Sequence, residues 1–214
     1  MKAVIFDFNG TLFNDHDKHI KAWSQISMYL RGKAIDQDEL YTKCNGVCNK
    51  KIIQYLSVDL LNENELEAYS NMKEAYYRKY CQDDIKHFHL IKGAIQYFQK
   101  LKHEKIPFTI ASASIKTNID FFIKAFELDK YMNVNDIVYD DGTYLNKVGM
   151  FKKACNKLNV EMKDCIVFED SASGIEAAYK AGCRNIIVIN SAKQSDLKQY
   201  PGVIDVIDDY QCML

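Results

Sequence analysis

Lys2-Ala3-Val4-Ile5-Phe6-Asp7-Phe8-Asn9-Gly10-Thr11-Leu12 decides how the chain is read. A short apolar run stops at a carboxylate, and a glycine follows three residues later. Runs of this length bounded by a turn signal read as strands buried on both faces. Asp7 then stands at the carboxyl end of such a strand, where open α/β sheets receive their ligands. Gly10 lets the chain turn away sharply, and Thr11 offers a hydroxyl and an N–H to an anion. A carboxylate in that setting can act as a nucleophile or hold a metal.

A second stretch repeats the design. In Asp164-Cys165-Ile166-Val167-Phe168-Glu169-Asp170-Ser171-Ala172-Ser173-Gly174-Ile175 an apolar strand ends in two acids, then small residues, then a helical pattern. Two such strand ends bring Asp7, Glu169 and Asp170 to one crevice. Like charges packed together need a cation between them, and hard oxygen donors point to magnesium.

Between these stretches the remaining strands and helices alternate. Strands are expected at 106–111, 136–139, 166–168 and 186–189, with a weaker one at 203–207. Helices are expected through Ile95 to Leu101, Ile119 to Phe126, Phe151 to Leu158 and Ile175 to Ala181. Strands alternating with helices predict an α/β fold with a doubly wound parallel sheet. Residues 14–86 differ in kind: apolar stripes at helical spacing run through His19, Trp23, Ile26 and Leu30, and through Leu66, Tyr69, Met72 and Tyr76. They predict an all-helical domain over 14–86, inserted into a core of 1–13 and 87–214. Four strand ends then carry, in order, Asp7, Ser112, Lys147 in the following loop, and Glu169-Asp170. Phosphoryl transfer needs those parts: a nucleophile, a hydroxyl and a cation for the phosphoryl oxygens, and carboxylates for magnesium.

The 214 residues are 48% hydrophobic and 27% charged, in the range of an ordinary globular chain. Basic and acidic residues number 28 and 29, a net charge of -1 that leaves no electrostatic footprint for nucleic acid or membrane. Seven cysteines without a C-x-x-C pair read as reduced thiols, and with a core strand starting at once after Lys2 the expected location is cytoplasmic. No obligatory protein partner is evident.

These motifs resemble the haloacid dehalogenase superfamily over the whole chain. Asp7-Phe8-Asn9-Gly10-Thr11-Leu12 looks like its first motif, Ser112 like its Ser/Thr motif, Lys147 like its lysine, and Glu169-Asp170 like its acidic pair. A helical cap between the first two motifs is similar to the β-phosphoglucomutase and phosphonatase branch, as are His19 with Ala22-Trp23, Gly46-Val47, and Ala111-Ser112-Ala113-Ser114.

The resemblance implies a Rossmann-like core and an aspartyl-phosphate on Asp7. Magnesium would be held by Asp7, the backbone carbonyl of Asn9 and Asp170, with Glu169 nearby. Gly10, Thr11, Ser112, Ala113 and Lys147 would bind the phosphoryl group, and His19, Lys50 and Lys73 of the cap would face the rest of the substrate.

Three departures matter. Asn9 replaces the second aspartate, the family's usual acid/base, and an amide cannot transfer a proton. The lysine motif continues Lys147-Val148-Gly149-Met150 where K-P-x-P is usual. Cys48, Asn49, Lys50 and Lys51 stand where the mutase has an arginine. The expected function is a magnesium-dependent phosphatase of a small phosphorylated metabolite. A β-phosphoglucomutase-like mutase and a catalytically impaired phosphate-ligand-binding regulator are the alternatives.

Overall fold

The structure is a computed structural model that describes residues 2–44, 47–191, 193 and 196–214. Gly46, part of the resemblance drawn above, lies outside the described residues. The chain forms two compact units, one of residues 1–14 with 89–214 and one of residues 15–88.

In the first unit, β1 (Ala3–Phe6) opens the chain. After the insertion come a helix at Ala94–His103, β2 (Phe108–Ile115), a helix at Lys116–Phe126, β3 (Val138–Asp140) and a helix at Lys147–Leu158. The chain then forms β4 (Cys165–Glu169), a helix at Ala172–Ala181, β5 (Ile186–Ile189) and β6 (Val203–Ile207). All six strands pair in parallel, in the order β3-β2-β1-β4-β5-β6. This is the doubly wound order, in which chain direction across the sheet reverses beside β1 and leaves a crevice at the strand ends.

Side-chain alternation along β1 divides the core. Ala3 and Ile5 face a layer built with Met150, Phe151, Ala154, Val167 and Ile175. Phe6 points the other way, stacked on Phe168 at 5.1 Å and set edge-on to Phe98 at 5.3 Å. Period-two alternation lets one strand serve both layers.

Three strands differ from the sequence reading: β3 begins at Val138 and not at 136, β4 is one residue longer at each end, and β2 shifts at both ends. β2 starts at Phe108, after Pro107, whose carbonyl still accepts the Val4 N–H at 3.0 Å. It then runs through Ser112-Ala113-Ser114 to Ile115, because β3 pairs alongside from Ala111↔Val138 to Ile115↔Asp140. Short polar residues read as a loop, and a neighbouring strand keeps them extended.

The second unit is helical, with helices at His16–Arg31, Gln37–Glu39, Asn49–Leu56 and Glu63–Asp83. A π-helical turn at Leu40–Cys44 continues the second of these. Gly32, at φ 72°, closes the first helix in the left-handed conformation. Asn62 and Glu65 start the last by a reciprocal cap: each side chain accepts from the other's backbone N–H, at 3.1 and 2.8 Å. Trp23, Ile26, Ile52, Ile53 and Leu56 form its core. No described helix is long and apolar enough to cross a membrane.

Candidate functional site

Register assembles the site. Phe6 pairs with Phe168 on one side and Ile110 on the other, so Asp7 and Glu169 leave the sheet at the same level, with Ser112 two residues beyond Ile110. The Asp7 N–H still donates to the Phe168 carbonyl at 2.9 Å. Asp7 is 3% exposed and Glu169 fully buried.

A cation bridges them. Lys147, which the sequence reading left in a loop, is the first residue of the helix Lys147–Leu158, capped by Asn146. Its ammonium donates to Asp7 Oδ1 at 2.6 Å and also to Glu169. The second oxygen of Glu169 accepts from the Asp170 N–H at 2.9 Å, the Ser171 N–H at 3.0 Å and the Ser171 hydroxyl at 3.1 Å. Glu169 is thus an acceptor on both sides, and these donors compensate its desolvation in the interior.

The pull on Asp7 is mixed. Burial raises its pKa from the ordinary 3.8 to about 6, against the lowering by Lys147, while the Glu169 charge adds to the rise. Lys147 is driven upward: Asp7 and Glu169 together outweigh its desolvation. A carboxylate left so uneasy by its surroundings wants more positive charge. Asp7, Glu169 and Asp170 each present one oxygen within 4.8 Å of the others, a hard-oxygen set that suits magnesium.

Two glycines make this closeness sterically possible. Gly10 has φ 76°, and a Cβ there would lie 2.1 Å from an Asp170 oxygen. A Cβ on Gly174 would lie 1.8 Å from Glu169. Thr11 ties the two strand ends together: its hydroxyl lies 3.1 Å from Asp7 Oδ2 and 3.3 Å from Asp170 Oδ1. Asn9 turns toward β2, where its Oδ1 accepts from the hydroxyls of Ser114 at 2.7 Å and Ser112 at 3.3 Å. Ala113 between them is exposed.

The motif pattern does not disclose four further residues. Ser114 joins Ser112 on Asn9, and Ser171 holds Glu169. Ser191 donates to the Gly10 carbonyl at 2.6 Å, and the buried Tyr210 hydroxyl donates to the Thr11 carbonyl at 3.0 Å. Ser171 had a signal as the small polar residue before a helix, and Ser114 lay within the quoted Ala111-Ser112-Ala113-Ser114 stretch. Ser191 and Tyr210 are single hydroxyls brought in by distant elements.

The helical unit gathers its own charges. Lys73 is 2% exposed, and its ammonium lies 2.9 Å from Glu74 Oε1, 3.0 Å from His19 Nδ1, and over the rings of Trp23 and Tyr77 at 5.2 and 5.3 Å. Asn49 donates to the same Glu74 oxygen at 2.8 Å. His19 stacks on Tyr77 at 4.1 Å, and the Tyr77 hydroxyl donates to the buried Asp15. Lys50 is elsewhere, on the surface of this unit between Glu63 and Glu67. Lys50 and Lys73 therefore both have carboxylate partners already.

Residues 4–188 match the family described as haloacid dehalogenase-like hydrolase. A crystal structure of a HAD hydrolase, family IA, variant 3, from Entamoeba histolytica is 34% identical, covers 100% of this chain and 96% of its own, and superposes with a TM-score of 0.91. The phosphorylated carbohydrates phosphatase of Thermotoga maritima is 25% identical over 87% of this chain and 84% of its own. A β-phosphoglucomutase structure from Clostridium difficile shares the fold at 22% identity and a TM-score of 0.79, covering 100% and 93% of the two chains.

Proposed function

The chain belongs to the haloacid dehalogenase-like hydrolase family, and on that premise we propose that it is a magnesium-dependent phosphatase of a small phosphorylated metabolite, working through an aspartyl-phosphate on Asp7. The observation that carries this reading is the buried Asp7, gripped by Lys147 at 2.6 Å on one oxygen and by Thr11 at 3.1 Å on the other, at the mouth of the sheet. The named activity of the Thermotoga maritima relative supports the choice of a phosphorylated substrate.

Asp7, Asp170 and the main-chain carbonyl of Asn9 would hold the magnesium ion, whose charge neutralises the phosphate as it meets the carboxylate. Asp7 Oδ attacks phosphorus in line, and the bond to the leaving oxygen breaks. Lys147 and the Ser112 hydroxyl draw charge from the phosphoryl oxygens, beside a Gly10-Thr11 turn whose N–H groups donate within the loop, to the Phe13 and Phe8 carbonyls. Glu169 fixes Lys147. Water then attacks phosphorus and returns the Asp7 carboxylate. In chain order the helical unit stands where the resembling branch carries its cap, and substrate choice beyond the phosphate is assigned to it.

The test is phosphate release by the full chain from a panel of sugar phosphates and other phosphometabolites, with magnesium and with a chelator. Turnover that needs magnesium and disappears in Asp7→Asn is the expected result. Turnover that persists in Asp7→Asn would overturn the covalent route.

A further inference from the structure

The described groups hydrogen-bonded to Asp7 and Asn9 can neutralise charge, and Asn9 itself cannot move a proton. Among the described residues of the core unit, Lys147 donates to Asp7 and Glu169, which bind its proton more tightly. The Thr11 hydroxyl is turned to Asp7 and Asp170. The Ser112 and Ser114 hydroxyls donate to Asn9, and Ser112 Oγ accepts the Ser114 N–H at 3.2 Å. Glu169 accepts from four donors. Asn9, the polar side chain anchored on β2 by two hydroxyls, is a carboxamide, which neither gives nor takes a proton near neutral pH.

Two steps of the reaction feel this. In the first, the leaving oxygen departs with the electron pair of the broken P–O bond and without a proton from Asn9. In the second, water attacks the aspartyl-phosphate without a base at position 9 to receive its proton, which passes to the departing phosphate or to solvent. A positioned acid or base is worth about 10²–10⁴-fold in rate.

We infer that the site takes phosphates whose leaving group is stable as an anion, acyl phosphates above all, and that the phosphoryl group enters Asp7 faster than water removes it. This rests on the phosphatase reading and narrows its substrate class. Ser114 acts here as a positioning residue, holding the Asn9 side-chain amide oxygen toward β2.

The experiment is rapid mixing of the full chain and magnesium with acetyl phosphate, with aryl phosphates of graded leaving-group acidity, and with glucose 6-phosphate as an alkyl ester. Wild type should release acetate in a burst matching the enzyme concentration, followed by slower turnover, with the phosphoryl group trapped on Asp7 and seen by intact mass. Its kcat/KM should fall steeply as the leaving group becomes more basic, leaving the alkyl ester at least ~10²-fold behind acetyl phosphate. Asn9→Asp should speed the alkyl ester by ~10²–10⁴-fold, flatten the dependence and remove the burst. Equal rates on acetyl phosphate and the alkyl ester in wild type, or no burst, would overturn the inference and leave the phosphatase reading standing. Silence of both wild type and a folded Asn9→Asp on every probe would overturn both.

Discussion

Lys147 of the core unit, partly buried, and Lys73 of the helical unit, buried, are each held against a carboxylate, and the two sites are built in opposite ways. Lys147 reaches across 140 residues of chain to Asp7, and across the sheet to Glu169, at the open ends of parallel strands. Lys73 donates to its own neighbour Glu74 and to His19, closed in by Trp23 and Tyr77. At Lys147 the carboxylates outnumber the cation, and Asp7 is left with its pKa raised to about 6. At Lys73 the charge is screened by aromatic faces and a single carboxylate, which Asn49 also supports. An unbalanced buried cluster is the arrangement expected of chemistry, and a balanced one of packing.

The sharpest way to break that contrast is Lys147→Met. Loss of the cation facing the phosphoryl group should lower kcat/KM by about 10²–10³-fold, measured as phosphate release. An equal loss of activity in Lys73→Met would erase the distinction. For Lys73→Met we expect the effect in stability instead: removing one partner of the buried Lys73–Glu74 pair should cost roughly 3–5 kcal/mol in denaturant unfolding. The double variant Lys73→Met/Glu74→Met should recover much of it, since both charges are then gone. No recovery would mean that the rings, and not the ion pair, hold the lysine.

A third effect is smaller and depends on pH. Asp7 has a folded pKa of about 6 against an ordinary 3.8, chiefly through burial. In metal-free protein between those values the folded chain keeps a proton that the unfolded chain has released. Stability should therefore fall as pH rises from about 4 to about 6, then level off. Urea midpoints across this range should show the slope in wild type and lose it in Asp7→Asn. A slope unchanged in that variant would place the titrating group elsewhere.

The smallest effect concerns Ser114. Ser114→Ala removes one of two hydroxyls on Asn9, about 1 kcal/mol of hydrogen bonding, and should cost a several-fold loss of kcat with KM little changed. Ser114→Thr keeps a hydroxyl and should restore the rate. A purely structural serine would change the melting temperature and leave the rate alone.

Some of this was legible before any fold was known. The strands at Ile186–Ile189 and Val203–Ile207 coincide with the expected ranges, because fully apolar or alternating runs leave little choice. The helical insertion was equally plain, since its stripes recur every three and four residues. β2 was misjudged at both ends, because its length depends on β3, which the local sequence does not contain. Lys147 was found by its order after Ser112, while its double grip on Asp7 and Glu169 had no local signal.

By itself the sequence determined which residues end the buried strands, and hence that Asp7 and the Glu169-Asp170 pair share one edge of a parallel sheet, because apolar periodicity and strand-terminal acids are local properties of the chain. It also determined that position 9 is an amide, Asn9, where the resemblance expects an aspartate. Only the tertiary structure decided which hydroxyl meets which carbonyl: Ser114 on Asn9, Ser191 on Gly10 and Tyr210 on Thr11. Those pairings follow from strand register and helix packing across as many as 199 residues of separation, and a hydrogen bond is fixed by distances that only the assembled layers set.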